Sequence, residues 1–341
     1  MGVDISDILV KHSTTLKDQG GMRVSIDAYN IIYQFLSSIR QPDGTPLMDR
    51  SNRVTSHLSG LFYRTINMIE VGIKPVYVFD GKPSALKNRT LEARKLVREK
   101  NREDLRIALE EGNEERARSL SSRINYITGE IVGESKELLR YMGVPVVQAP
   151  SEGEAQASVM SKASLVDGVV SQDYDCLLFG ARRVFRNLAQ MGKRKLPGKN
   201  IYVNVTPEYI DLEENLGILG INREQLIHIG IMVGTDFNSG LPRTGAKSAL
   251  KLIRKYGSIY EVLKARNEEI ENLDQVLELF RDPPYSDPGD ISMKPPDSES
   301  LRHFLSDVHD FSLSRVEPYI ETLQNAYRKE SQKNLDSFFE H

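Results

Sequence analysis

Two acid pairs, Glu152-x-Glu154 and Asp173-x-Asp175, and three single aspartates, Asp27, Asp80 and Asp236, are the side chains whose types and spacing could do chemistry in this chain. Gathered in one partly desolvated crevice, these carboxylates would repel one another, raise their own pKa values and destabilise the fold. Hard divalent cations relieve that repulsion, and an all-oxygen donor set suits Mg²⁺ or Mn²⁺. No histidine lies within either pair or immediately beside a single acid, and Cys176 merely follows Asp175, so zinc is disfavoured. Two hard ions about 3.5–4 Å apart activate water and stabilise a leaving oxygen in phosphodiester hydrolysis. Any one of these pairs, taken alone, is ordinary surface decoration. The joint pattern points to a metal-dependent phosphoryl enzyme.

The elements that must position these acids are legible beside them. Apolar runs rich in β-branched residues at 22–26, 74–79 and 168–172 end at Asp27, Asp80 and Asp173, and the run 144–147 leads into Glu152 and Glu154. Helical stretches separate the runs, which predicts an α/β fold with a mostly parallel central sheet flanked by helices. In such sheets ligands sit beyond the carboxyl ends of the strands. A lone aspartate after a strand is ordinarily a turn former or a helix cap. Four neighbouring strand ends that all deliver acids ask for more.

Composition sets the outer limits. The chain has 341 residues, 39% of them apolar, with 45 Lys+Arg against 48 Asp+Glu. At roughly 150 residues per domain this predicts about two domains with a sizeable core. A net charge of −3 excludes a uniformly basic nucleic-acid coat and leaves local patches open. One cysteine excludes an internal disulfide, and with no secretory start the chain reads as intracellular. The best apolar stretch, 226–234, is far short of the ~20 residues a spanning helix needs, so no membrane association is expected. The start Met1-Gly2-Val3-Asp4-Ile5-Ser6 fits a myristoylation pattern, but no polybasic cluster follows and one acyl chain anchors weakly.

Three further stretches stand out. Residues 86–123 carry eleven basic residues among eight acids on a thin apolar stripe, so the pattern reads either as a solvated helical pair or as a mobile basic arch over the crevice. From Thr206 onward the pattern is mostly helical. A glycine-bearing turn containing Gly234 and Gly245 separates helices at 226–233 and 246–256, a shape that can offer backbone N–H groups to a phosphate. The stretch 282–298, rich in Pro, Asp and Ser, is expected to be an exposed excursion. A basic run from Arg182, Arg183 and Arg186 through Lys193, Arg194, Lys195 and Lys199 is either a second phosphate track or a solvated loop.

Five blocks in order, Val24 to Ala28, Tyr77 to Pro83, Ala149 to Ala157, Ser171 to Asp175 and Val233 to Asp236, resemble the signature blocks of the flap endonucleases. The resemblance runs from Met1 to the C-terminal tail, and the compact length is similar to the archaeal replication enzymes. It implies a PIN-like 5′-nuclease fold with a nuclease core over 1–220, a helical arch at 84–135 and a helical DNA-binding region over 221–330. It also implies a structure-specific nuclease that cuts 5′ flaps near the single-strand/duplex junction in Okazaki-fragment maturation and base-excision repair, with 5′→3′ exonuclease action. Flapped or nicked duplex DNA would be the substrate of a monomeric, non-nuclear protein.

By the same resemblance, Asp27, Asp80, Glu152 and Glu154 would hold one Mg²⁺, and Asp173, Asp175 and Asp236 the second, some through water, with Mn²⁺ able to substitute. Lys87 and Arg94, two turns apart on roughly one helical face, match the basic pair that the family places over the scissile phosphate. Without the resemblance they are arch decoration. Tyr33 matches the aromatic on which a terminal base stacks, and otherwise reads as a helix residue packing beside Phe35 and Leu36. Arg40 and Arg64 match family residues that touch DNA, and Gly2 matches the exposed N-terminal glycine beside the active site. The helix-two-turn-helix-like element over about 226–256 would bind duplex through Gly234, Gly245, Lys247 and Lys251, with Glu152 and Asp236 near the DNA, and would hold K⁺. Its turn departs from the family's Gly-apolar-Gly by placing Arg243 at the first glycine. The tail over 331–341, Gln332-x-x-Leu335-x-x-Phe338-Phe339, has the spacing of the motif that docks on the replication sliding clamp, or is a terminal helix docking intramolecularly.

Overall fold

The computed structural model describes the backbone of residues 2–41, 44–121, 127–188, 192–195 and 202–339. Its strands are β1 (His12–Ser13), β2 (Arg23–Asp27), β3 (Lys74–Phe79), β4 (Val146–Gln148), β5 (Gly168–Val170), β6 (Arg183–Arg186), β7 (Gly192–Lys195), β8 (Tyr202–Val205) and β9 (Glu208–Asp211). Seven of them form one sheet in the order β1-β9-β6-β5-β2-β3-β4, and β7 pairs with β8 apart from it. The run β6-β5-β2-β3-β4 is parallel, and β9 and β1 close one edge antiparallel. The four acid-bearing strands are therefore contiguous. The order reverses between β2 and β5, which is where such sheets open a crevice.

Around the sheet lie α1 (Ala28–Ser38), α2 (Ser56–Glu70), α3 (Asn88–Glu110), α4 (Glu114–Ser121), α5 (Gly129–Tyr141), α6 (Gly153–Lys162), α7 (Asp175–Leu178), α8 (Leu212–Leu219), α9 (Arg223–Val233), α10 (Ala246–Tyr256), α11 (Ile259–Arg266), α12 (Leu273–Arg281), α13 (Ser298–Arg302) and α14 (Leu313–Phe339). The mostly helical expectation after Thr206 holds except for β9, whose short alternating run finds its partners only through β6 and β1.

Side chains on β3 alternate between two cores, as a pleat requires. Tyr77 and Phe79 join Val24, Ile26, Val170 and Phe185 against α1, α2, α5 and α14. Val76 and Val78 join Val147, Val169 and Val184 against α6, α7 and the helices α8 to α12. Both faces of the sheet are covered, which explains why its strands read as near-continuous apolar runs. Each fully buried large apolar side chain contributes roughly 1.5–3 kcal/mol.

Among the described residues, none from the arch helices α3 and α4 belongs to either core. Their own cluster is Ala108, Ala117 and Leu120 with Leu105 packed against it, while Leu96 is 66% exposed. The stretch 282–297 straps the molecule beside β4: Gln156 donates to the Ser286 carbonyl at 2.8 Å, and the Lys294 N–H donates to the Gly143 carbonyl at 2.8 Å. Among the described residues no helix is long and apolar enough to cross a membrane.

Candidate active site

Backbone N–H groups hold four of the acids in place, Asp27, Asp80, Asp173 and Asp175. Asp27 ends β2 and caps α1, accepting from the Asn30 N–H at 3.0 Å. Asp80 follows β3 and accepts from the Gly153 N–H at 2.6 Å, which ties it to the first residue of α6. Glu152 stands at the N-cap position of that helix with its side chain turned to Lys87, and Glu154 lies in its first turn. Beyond β5, Asp173 accepts from the Gly2 N–H at 3.1 Å and Asp175, the first residue of α7, accepts from the Val3 N–H at 2.8 Å. Asp236 comes from the turn after α9.

Gly2 must be glycine here. A Cβ at that position would stand 2.7 Å from an Asp175 carboxylate oxygen and 3.1 Å from Asp173 Cβ. The N-terminal segment thus presses its amides directly onto the acid pair.

The electrostatics show that the seven acids share one field. Burial, reinforced by Asp80 and Asp173, pushes the Asp27 carboxyl up to about 7. Burial with Asp236 and Asp173 does the same to Asp175, also to about 7. Asp80 rises to about 6 through burial and Glu152, an effect eased by the Gly153 N–H and by Lys87. Glu154 is pushed well up by burial and by Asp173, Asp27 and Asp175.

Two cations enter this field from the arch. Lys87 Nζ donates to Glu152 Oε2 and stands 3.4 Å from Asp236 Oδ2. Burial lowers the Lys87 pKa, but Glu152, Asp236 and Glu154 outweigh it, so the ammonium stays charged. One guanidinium nitrogen of Arg94 reaches both Asp236 oxygens, at 2.7 and 2.8 Å. Among the described residues no three His, Cys, Asp or Glu side chains are gathered into a ready metal cage. The donor set nevertheless fits a hard cation: it is all carboxylate and largely buried, and burial with mutual repulsion pushes Asp27, Asp80, Glu154 and Asp175 toward protonation.

Other expected residues fall in different settings. Tyr33 lies on α1 and is 45% exposed, so it does not pack as its neighbours Phe35 and Leu36 do. The Arg40 guanidinium is spent on protein: it donates to the carbonyls of Leu36 at 3.0 Å, Gly44 at 2.7 Å and Ser121 at 3.3 Å, fastening the far end of the arch to α1. Arg64 is half-buried on α2. Arg183 and Arg186 are paired across the sheet with Asp211 at 3.2 Å and Glu208 at 2.7 Å, so that part of the basic run is structural. The side chains of Lys193, Arg194 and Lys195, and all of Lys199, lie outside the described residues.

The C-terminal turn has the geometry its glycines predict, with one exception. Gly234 ends α9 at φ +104°, and Gly245 opens α10 with nothing within 4 Å of a would-be Cβ. Arg243 adopts φ +55°, the left-handed region that the missing glycine would enter at ease. Lys247 and Lys251 are exposed on α10, Lys247 standing 3.7 Å from Asp7. Gln332 is exposed on α14, while the side chains of Leu335, Phe338 and Phe339 lie outside the described residues.

Sequence reasoning missed the polar groups that bracket the acids. Asn30 donates through Nδ2 to Asp173 at 3.2 Å while its backbone holds Asp27, so one residue joins the two sides of the crevice. Ser171 donates to Glu154 at 3.0 Å and accepts from the Asp173 N–H at 3.2 Å. Thr90 donates to the Asp236 carbonyl at 2.7 Å. The one available signal was Asn30, three residues after a strand-ending aspartate that caps a helix.

The chain is similar to known proteins along its whole length. The XPG N-terminal domain matches residues 1–101 and the XPG I-region matches 143–236. Flap endonuclease 1 of Picrophilus torridus is 56% identical over 339 residues, covering 99% of this chain and 100% of that protein. The structure of flap endonuclease-1 from Methanococcus jannaschii superposes with a TM-score of 0.78 at 40% identity, covering 96% of this chain and 100% of that one. The catalytic core of Rad2 in complex with a DNA substrate gives 0.71 at 25% identity, covering 95% and 100%. By similarity over its whole length, the chain is a member of the flap endonuclease 1 family.

Proposed function

We propose that the crevice hydrolyses a phosphodiester near the base of a 5′ flap with two Mg²⁺, and that Mn²⁺ substitutes for them. The observation that carries this is the convergence of seven carboxylates, several raised toward neutrality by burial and one another, under two arch cations. Asp27, Asp80, Glu152 and Glu154 would hold one ion and Asp173, Asp175 and Asp236 the other. When bound, the pair supplies the Lewis acidity that phosphodiester hydrolysis needs.

The chain's own residues do the rest. Lys87 and Arg94 take the charge that develops on the scissile phosphate. Tyr33, already exposed on α1, stacks the terminal base, a contact worth ~1–3 kcal/mol. The open N-terminus of α10 at Gly245, with Gly234 shaping the turn and Lys247 and Lys251 beside it, grips duplex phosphates. The same turn would hold K⁺ through its backbone carbonyls, with Arg243 in the left-handed conformation beside them. Arg40 acts through the arch it fastens. The flap strand passes under the arch, and 5′→3′ exonuclease action follows from the same site on a short or absent flap.

In this division residues 1–220 cut, 221–330 grip the duplex, and 331–341 dock on the sliding clamp through Gln332, Leu335, Phe338 and Phe339. The setting is replication and base-excision repair inside the cell, with the protein acting as a monomer. The test is cleavage of a double-flap DNA, a four-way junction and an RNA duplex side by side, with Mg²⁺ and with chelator. Mg²⁺-dependent cutting of the flap far above the others is expected. Preference for the junction or the RNA would overturn the substrate class and leave the metal assignment standing.

A further inference from the structure

Lys87, Thr90 and Arg94 are spaced by three and four residues, so they share one face at the foot of α3. All three bind the acids. Lys87 pairs with Glu152 and stands 3.4 Å from Asp236; Arg94 takes both Asp236 carboxylate oxygens at 2.7 and 2.8 Å; Thr90 donates to the Asp236 carbonyl at 2.7 Å. The carboxylates are little exposed, at 10% for Glu152 and 11% for Asp236. Beyond its foot, α3 packs on α4 through Leu105 and Ala108 and pairs Asp104 with Arg116. Its Arg89–Glu271 pair is exposed on both sides, and Leu96, Val97 and Leu109 face solvent.

Glu152 and Asp236 are also carboxylates that the proposed function assigns to the two ions. An oxygen whose lone pairs and charge are committed to a guanidinium or ammonium is not free to ligate a dication at full strength. We propose that the Lys87–Thr90–Arg94 face is a counter-ion latch. In the ion-free protein it neutralises Glu152 and Asp236 and pins the foot of the arch. Divalent cations compete with it for the same oxygens and release the two side chains toward incoming phosphate. The inference rests on the divalent-ion reading of the crevice. Thr90 is the positioning residue of the latch, because its bond is to a backbone carbonyl that the ions do not take. The foot of α3 therefore pivots on Thr90 when Lys87 and Arg94 let go.

The consequence runs against intuition: two groups that serve catalysis weaken ion binding. The test is Mn²⁺ titration of the full-length, DNA-free protein followed by electron paramagnetic resonance, with hydrogen–deuterium exchange of peptides spanning 88–98 as a second readout. Lys87→Met and Arg94→Gln are each expected to bind Mn²⁺ roughly fivefold to tenfold more tightly than wild type. Arg89→Gln, on the same helix but paired with Glu271, is expected to bind as wild type does. Mn²⁺ should speed exchange at the foot of α3 in wild type, and Thr90→Val should speed it without Mn²⁺ and tighten Mn²⁺ binding by less than either cation variant does. Equal or weaker Mn²⁺ binding by both cation variants, or an arch whose exchange ignores or slows with Mn²⁺, would overturn the latch and leave the ion site intact. Failure of wild type to bind Mn²⁺ at all would overturn the ion site and the latch together.

Discussion

In the crevice Asp27, Asp80 and Asp175 are each fixed by a backbone N–H, whereas in the arch the foot of α3 is held through side chains, two of them in ion pairs. The amides belong to elements buried on two cores, so the acids stay where the sheet puts them even though they repel one another. Among the described residues of α3 and α4 three are buried, Ala108, Ala117 and Leu120, and Arg106 is paired on its own helix with Glu103 and Glu110. The contrast separates two jobs. A site that must concentrate negative charge needs a scaffold stiff enough to withstand the repulsion. A cover that must admit a nucleic-acid strand needs contacts that other ions can replace.

The largest effect should come from the stiff side. Asp27→Asn keeps an acceptor for the Asn30 N–H but removes a charge, and flap cleavage is expected to fall by about a thousandfold, the upper scale of a lost electrostatic contact to a transition state. Thermal stability of the ion-free protein should hold or rise, since a repelling buried charge is gone. Loss of fold together with activity would mean the acids are structural after all. Lys87→Ala attacks the soft side: kcat is expected to drop about a hundredfold, and the ion-free protein should lose stability on the order of 1–3 kcal/mol, because Glu152 is left buried without its counter-ion. Added divalent cation should restore most of that loss; a loss that the cation leaves untouched would show that the arch is a packed element and erase the contrast.

Asn30→Ala sharpens the contrast within the crevice. It removes the donor to Asp173 while leaving the backbone cap on Asp27, and should weaken Mn²⁺ binding about tenfold to a hundredfold. Unchanged affinity would show that the bracket holds nothing in place.

The pH dependence has a definite sign. Asp27 and Asp175 are raised to about 7 and Asp80 to about 6 in the ion-free protein, so the native state binds protons that the unfolded chain releases near pH 4. Their contribution is full below the unfolded value and is lost as pH rises from about 4 to about 7. The melting temperature of wild type minus that of Asp175→Asn, measured without metal, should therefore fall across that window. A difference that stays flat would deny that the acids are forced together. The smallest effect concerns the C-terminal turn. Arg243→Gly relieves a left-handed residue at φ +55° and should stabilise the protein by up to about 1 kcal/mol, because the added chain entropy offsets part of the relief.

The strand ends were readable because an acid after a β-branched run has few other places to go in an α/β chain. Their adjacency followed from the parallel crossover pattern, and β5-β2-β3-β4 carries it out. Local chemistry also marked Gly234 and the helix at 246–256. What the sequence did not disclose depends on distant partners. Arg186 looks like any basic residue until β9 brings Glu208 to it, and Arg40 looks free until three carbonyls close around it. Thr90 is a plain helix residue until the turn after α9 lies beside it. The same holds for Gly2: its need for glycine arises only when the N-terminal segment crosses the Asp173 and Asp175 pair.

The most direct test is cleavage of a 5′-labelled double-flap DNA with Mg²⁺ by wild type and by Asp175→Ala. Asp175 is the acid to remove, being buried, held by the Val3 N–H and raised by its neighbours. Cutting near the flap base by wild type alone is the result expected of a carboxylate-built nuclease site. Equal cutting by Asp175→Ala would contradict it.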